Sequence, residues 1–315
     1  MTTKSGLRTA GKNGFWERVK ENKTIYFMLL PGIFFLVVFS LYPILWILKY
    51  MFYDYDSYGT VRFIGLDNFI TLFQDKQFFN ALGNTFLYAI GKILVTLPLS
   101  FLFAYLLNLK FRGRSFFRSM LFLPTIISIS VMSMVFYLIF NAYNGALNTF
   151  LMDIHLIKAP VNWFDAAHSM ITVLIIAVWG AIGNYMLYFL SGLQTIPEDI
   201  YESADLDGAT GWKKLWHITL PMMMPITQMV IMLAIIQAFK DYENIMVLTA
   251  GGPNGRTEVL YLYIYRLMFP MGGDAQASAV MQYGYGATVA FATAVLVGIV
   301  TVVYLRWSKM NAETF

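Results

Sequence analysis

The chain has 315 residues, of which 58% are hydrophobic, 17% aromatic and only 13% charged. A soluble domain is about 45–50% apolar, so this composition argues against a soluble enzyme and for a polytopic membrane protein. The net charge of +4 is spread over membrane flanks, which argues against a nucleic-acid surface, and the absence of cysteine excludes disulfides and thiolate metal sites.

Residues 1–24 carry Lys4, Arg8, Lys12, Arg18, Lys20 and Lys23. This basic region is too long for a cleavable secretory signal, and no small-residue cleavage site follows it. It is expected to be a cytoplasmic segment, with Gly14-Phe15-Trp16 opening either a short interfacial helix or a disordered polar tail. A helix needs about 20 apolar residues to cross a bilayer. Six stretches qualify: residues 25–50, 82–109, 119–140, 170–193, 222–237 with a continuation to 247, and 287–305. None alternates with period two over ten residues, so an outer-membrane barrel is not indicated. The membrane domain is thus expected over residues 25–305, followed by a tail at 306–315.

Lys92 is a lone cation in the second span, either buried or reaching toward an end, and a structural role is expected for it. The short loop after that span carries Lys110, Arg112, Arg114 and Arg118, whereas the longer connection over residues 141–169 carries only Lys158. The positive-inside rule places the N-terminus, the 110–118 loop, residues 194–221 and the tail with Arg306 and Lys309 in the cytoplasm. Lys49, Arg62 and Lys76 on the opposite side weaken this contrast without reversing it.

Between the fourth and fifth spans, residues 195–221 are too polar for hydrocarbon. Thr195 and Glu198 have the spacing of a capping box, and Pro197 is tolerated in a first turn. Glu198, Asp199 and Glu202 lie where a helix dipole favours anions, and Ile196, Ile200 and Ala204 form one apolar stripe. Gly208 sits where the helix is expected to stop at positive φ. Thr210 is positioned to cap a second helix with Trp212, Leu215 and Trp216 on one face, and Pro221 marks the return to the membrane. The expected shape is a small helix–turn–helix.

The residues Glu202-Ser203-Ala204, then Asp207-Gly208-Ala209, then Ile218-x-Leu220-Pro221 resemble the signature loop of binding-protein-dependent ABC transporter permeases. Ser203 stands where that family writes alanine. Further marks resemble the sugar-permease subgroup of maltose and glycerol-3-phosphate type: Leu30-Pro31, Tyr42-Pro43, the run from Phe63 to Phe69, Arg112-Gly113-Arg114, Leu123-Pro124 and the run from Leu248 to Pro253. The resemblance implies an all-α integral membrane subunit of about six spans with the type I ABC importer permease fold, in a bacterial or archaeal cytoplasmic membrane. It implies half of a translocation pathway for a sugar, or for another polar solute such as glycerol phosphate. Its implied partners are membrane lipids, a second homologous permease subunit, an extracytoplasmic solute-binding protein and a cytoplasmic ATPase dimer. ATP and Mg would be used by that dimer, with no cofactor bound by this chain. In the family the loop docks on the ATPase; Glu202 would orient the helix there, Ala204 would allow close approach and Gly208 would permit the turn. A self-sufficient secondary transporter is the competing class, and would call for inverted repeats that the sequence does not display.

Polar groups inside spans are costly and tend to face internal cavities. Asn184 lies in the fourth span beside Trp179, Tyr185 and Tyr188, and Gln237 and Asp241 are four residues apart in the fifth, on one helical face. In the sugar permeases these relative positions line the central cavity, so the resemblance implies a substrate-pathway role for Asn184, Gln237 and Asp241. Hydrogen bonding between helices is the alternative. Other signals fail. Gly251 to Gly255 lack the Gly-Lys-Ser/Thr ending of a phosphate loop and read as a tight external turn. Asp205 and Asp207 lack the remaining ligands of a calcium loop. His155, His168 and His217 are dispersed, and no nucleophile has its base, so no catalytic residue is expected.

Overall fold

A computed structural model describes residues 23–59, 61–270 and 280–312. Most of the basic N-terminal segment, including Gly14-Phe15-Trp16, and the last three residues of the tail lie outside the described residues. Apart from one small hairpin the described chain is helical, as the sequence predicts. Four helices are long and apolar enough to cross a membrane, and two further helix pairs, each bent at a break, raise the number to six.

α1 (Lys23–Leu36) continues through one π-helical turn (Val37–Leu41) into α2 (Tyr42–Tyr50). Pro43 accounts for the turn: it has no N–H and its ring crowds the preceding turn, so the ladder widens just ahead of it, with the Tyr42 amide donating to Val37 O. No residue of α1 is buried, as suits a span that faces lipid or a neighbouring subunit. β1 (Tyr53–Tyr55) and β2 (Val61–Phe63) pair antiparallel, Tyr53 opposite Phe63. The Phe63–Phe69 run then turns at Gly65, φ +62°, into α3 (Asp67–Gln74). Asn68 fixes this corner by donating to Met51 O at 2.8 Å and Tyr53 O at 3.1 Å.

α4 (Lys76–Asn108) begins six residues before its apolar run because Asp75 caps it, accepting from the Gln77 amide at 2.8 Å. The other Asp75 oxygen accepts from the phenols of Tyr263 and Tyr285, each at 2.5 Å. Burial pushes this carboxyl up, but the two phenols and the amides of Gln77 and Phe78 outweigh it and hold its pKa below the ordinary value.

The predicted third span is two helices, α5 (Arg114–Ile126) and α6 (Ile129–Ile139), inclined by 98°. Pro124 weakens the last turn of α5, and Ile127 and Ser128 then take extended backbone. α7 (Ala146–Asp153) lies in the long connection, which folds around Asn148. This buried amide donates to Ala142 O and Val161 O and accepts from the Val161 amide and Trp163 Nε1, at 2.9–3.2 Å.

α8 (Ser169–Leu193) packs along α4 and crosses α5 at Gly183. A Cβ there would sit 2.4 Å from Leu121 O and 2.9 Å from Phe122 Cα, so only glycine permits this backbone-to-backbone approach. Gly183→Val is expected to destabilise the chain by about 3 kcal/mol, the upper end of overpacking costs. Thermal unfolding of the detergent-solubilised protein checks this, and an unchanged Tm would refute the crossing.

α9 (Glu198–Leu206) and α10 (Gly211–Lys214) follow, then a π-helical turn (Leu215–Thr219), α11 (Leu220–Met222) and α12 (Met224–Lys240). The helical run bends by 68° at Met223, between Pro221 and Pro225. The predicted continuation of the fifth span to residue 247 is not continuous. α12 ends at Lys240, Asp241 is extended, and α13 (Glu243–Thr249) restarts the helix. The charged run Lys240–Asp241–Glu243 sits at this break, where the Asp241 carboxylate finds polar partners. Gly251 to Gly255 form the expected tight turn, with Gly251 at φ +83°, Asn254 at φ +50° and Gly255 at φ +71°. α14 (Leu260–Met268) and α15 (Tyr283–Ala312) complete the chain.

The buried core follows α4 and α8. Leu97, Met186, Phe189, Leu193, Met223 and Val230 fill one half. Tyr88, Val173, Ile176, Ile245, Leu248 and Leu262 fill the other. Between these halves α4, α8, the α5–α6 break and the end of α12 line a half-open cavity.

Candidate functional site

The cavity has a volume of about 420 Å³ and is lined by Lys92 of α4, by Asn184, Tyr185 and Tyr188 of α8, and by the residues around the α12–α13 break. All three predicted pathway residues, Asn184, Gln237 and Asp241, line it. Helical spacing brings Gln237 back over Asp241, and its Nε2 donates to Asp241 Oδ1 at 3.3 Å.

Lys92 is not a lone cation, as its sequence context implies, nor does it reach toward a span end. Its ammonium pairs with Asp241 Oδ2, and the two side chains are 8% and 10% exposed. Tyr88, one turn earlier on α4 and fully buried, donates to the same oxygen at 3.0 Å. Asn244 of α13 in turn donates to the Tyr88 hydroxyl at 3.2 Å. The Lys92 ammonium also lies 5.9 Å from the Tyr88 ring centroid, a cation–π distance. One carboxylate therefore ties α4 to the end of α12, and Tyr88 ties α4 to α13. Sequence reasoning singled out Lys92 without its partner, and missed Tyr88 and Asn244. A signal for Lys92 was available: a charge inside a span calls for an opposite charge, and Asp241 was the carboxylate already placed at the end of an apolar run.

At the other candidate site, α9, Gly208 and α10 form the predicted helix–turn–helix. Gly208 has φ +72°. The Ala209 amide bonds to Ala204 O at 2.9 Å and the Gly208 amide to Asp205 O at 3.1 Å, the paired bonds of a Schellman cap. An ion pair between Lys214 and Asp205 clamps the two helices together, and the Tyr201 hydroxyl meets Thr219 Oγ1 at 3.1 Å. The expected capping box is absent. Pro197 occupies the N-cap position, and Thr195 Oγ1 donates back to Gly192 O at 2.7 Å. Glu198 instead reaches Lys110 at 3.2 Å on the exposed surface. Thr210 does hold the N-cap position of α10, but its side chain makes no cap bond.

Within the loop Glu202, Ser203, Asp207 and Gly208 are exposed, and Ala209, Ile218 and Leu220 are half-buried. Pro221 is exposed, within a helical run relieved by the π-helical turn. Ala204 faces inward and is 6% exposed, so its small side chain serves packing within the chain. Leu206, Trp212 and Trp216 are exposed, with the two indoles edge to face at 5.9 Å.

The model of the family described as "Binding-protein-dependent transport system inner membrane component" matches residues 96–309. The arabinooligosaccharides transport system permease protein AraP of Bacillus subtilis is 34% identical over 310 residues, covering 95% of this chain and 94% of that protein. The trehalose/maltose transport system permease protein MalF of Thermococcus litoralis is 29% identical over 300 residues, covering 94% and 97%. A chain of a bacterial ABC transporter involved in import of the acidic polysaccharide alginate superposes with a TM-score of 0.80 at 24% identity, covering 94% of this chain and 98% of that one. The fold is that of the type I ABC importer permeases, and the chain belongs to the binding-protein-dependent inner membrane components, as a permease subunit of an ABC importer.

Proposed function

We propose that this chain forms half of the translocation pathway for a neutral, polyhydroxylated solute of the oligosaccharide class. The observation that carries this reading is the chemistry of the central cavity. Its charged lining residues are two cations, Lys92 and Lys240, and two anions, Asp241 and Glu243. They balance, and one pair is already mutually bound. What remains for a solute is the amides of Asn184 and Gln237, an oxygen of Asp241, the rings of Tyr185 and Tyr188, and the opposite charges of Lys240 and Glu243, which sum to zero. Amides bond hydroxyls as donor and acceptor together, while aromatic faces take the apolar side of a sugar ring. The names of the relatives, arabinooligosaccharide and trehalose/maltose permeases, support the same class. A phosphate ester would call for a free cation cluster, which disfavours glycerol phosphate.

In this reading the chain pairs with a second homologous permease and receives solute from an extracytoplasmic binding protein. A fold neighbour was itself solved with a periplasmic protein carrying an alginate pentasaccharide. Residues 195–221 would dock on an ATPase dimer in the cytoplasm, which hydrolyses ATP with Mg, while this chain supplies pathway and coupling and catalyses nothing. Both termini would lie on the ATPase side. The test is uptake into vesicles holding the full assembly, with neutral and anionic sugars as competitors. Neutral oligosaccharides are expected to compete, and Gln237→Ala to lower uptake about tenfold, as loss of one net hydrogen bond to a hydroxyl implies, at unchanged assembly yield. Competition by anionic sugars alone, or a Gln237→Ala effect confined to assembly, would overturn the reading.

A further inference from the structure

Asp241 is the most heavily partnered polar group of the cavity, and its two oxygens are used differently. Oδ2 takes the Lys92 ammonium and the Tyr88 hydroxyl. Among the described residues Oδ1 has only the long 3.3 Å bond from Gln237, which leaves it acceptor capacity toward the cavity. Tyr88 is held by Asn244, and the Asn244 carbonyl is occupied by the Ile245 amide at 2.9 Å. The carboxylate is thus oriented from behind while one edge stays open. A buried ion pair contributes little to stability beyond what a packed apolar pair supplies. Placed against a solute cavity, however, it provides a strong acceptor without net charge.

We infer that Lys92 is a specificity-determining residue: by neutralising and orienting Asp241 it makes the cavity accept neutral polyols and reject ionic ones. The inference rests on the cavity being the solute pathway. Its consequence has a sign. Asp241→Asn keeps an acceptor for Tyr88 and leaves the Lys92 ammonium unpaired, so the cavity becomes cationic. Lys92→Gln leaves the carboxylate unpaired and makes the cavity anionic. Removing both charges restores balance. Lys240 and Glu243, the other charged lining residues, stay constant throughout.

The experiment is direct binding of a neutral hexose trisaccharide and of a trisaccharide of hexuronic acids to the reconstituted assembly without its external binding protein, by equilibrium dialysis. In Asp241→Asn the preference for the uronate is expected to rise about tenfold or more, since one unscreened charge at contact range is worth at least that. Lys92→Gln shifts the preference the opposite way, and the double variant returns it to the wild-type value. A merely structural pair would lower the yield of assembled transporter in both single variants and leave the preference of the remainder unchanged, which would overturn the inference. Wild-type protein that binds neither trisaccharide would overturn the pathway reading with it. Wild-type binding of the neutral sugar with no shift in Asp241→Asn would overturn the inference alone.

Discussion

Gly208→Val is expected to abolish transport-coupled ATP hydrolysis in the reconstituted assembly while membrane insertion persists. The reason lies in the backbone. Gly208 has φ +72°, and a Cβ built on it meets nothing within 4 Å, so the cost of a side chain is not steric crowding by neighbours. A β-branched residue is strongly disfavoured in the left-handed region, by about 1–2 kcal/mol or more. That is enough to break a turn whose retention rests on two cap bonds and the Lys214–Asp205 ion pair. Loss of the cap re-aims α9 against α10, and with it the exposed Glu202, Leu206 and Asp207. Gly208→Asn, which tolerates left-handed backbone, is expected to retain most of the coupling. Glu202→Lys separates docking from folding, because Glu202 is exposed and makes no ion pair among the described residues. Its expected effect, loss of coupled hydrolysis with an unchanged Tm, would belong to the partner surface. Undiminished uptake in both Gly208→Val and Glu202→Lys would sink the coupling role of this loop.

The sequence displayed some features of this molecule plainly and concealed others, for identifiable reasons. Uninterrupted apolar runs located the helical cores of α1–α2, α4, α8 and α15, because length in hydrocarbon is set by composition. Gly208 was readable because a helix stop followed by a second amphipathic turn needs positive φ. The break at Ile127–Ser128 was not, since both flanks are apolar and Pro124 is tolerated within a membrane helix. Nor was the early start of α4, whose cap at Asp75 is stabilised by phenols 188 and 210 residues away. The Thr195–Glu198 spacing promised a capping box, but Pro197 took the N-cap position itself. Asn184, Gln237 and Asp241 were found by their cost inside spans, and the cavity gathers all three. The pairing of Lys92 with Asp241 escaped because periodicity shows that a helix has a polar face without showing which helix it meets.

That partnership carries the largest expected effect on stability. Lys92→Met is expected to cost about 3–5 kcal/mol, the usual penalty for stranding one member of a buried ion pair, and to lower Tm in detergent by on the order of 10 °C. The stranded group is Asp241, a carboxylate whose side chain is 10% exposed. The Tyr88 hydroxyl and the Gln237 amide would remain as its donors, and neither carries charge. Adding Asp241→Asn removes the uncompensated charge while keeping an acceptor for Tyr88, so the double variant is expected to recover most of the lost stability despite having one more substitution. This non-additivity discriminates between causes. If Lys92 contributed only its aliphatic stem to the packing of α4, methionine would replace it well, Tm would hardly move, and the second substitution would only add damage. A fall in the single variant and a recovery in the double place the energy in the charge. They also fix where α4 meets the end of α12: at an ion pair that faces the cavity, beside the break at which one helix ends and the next begins.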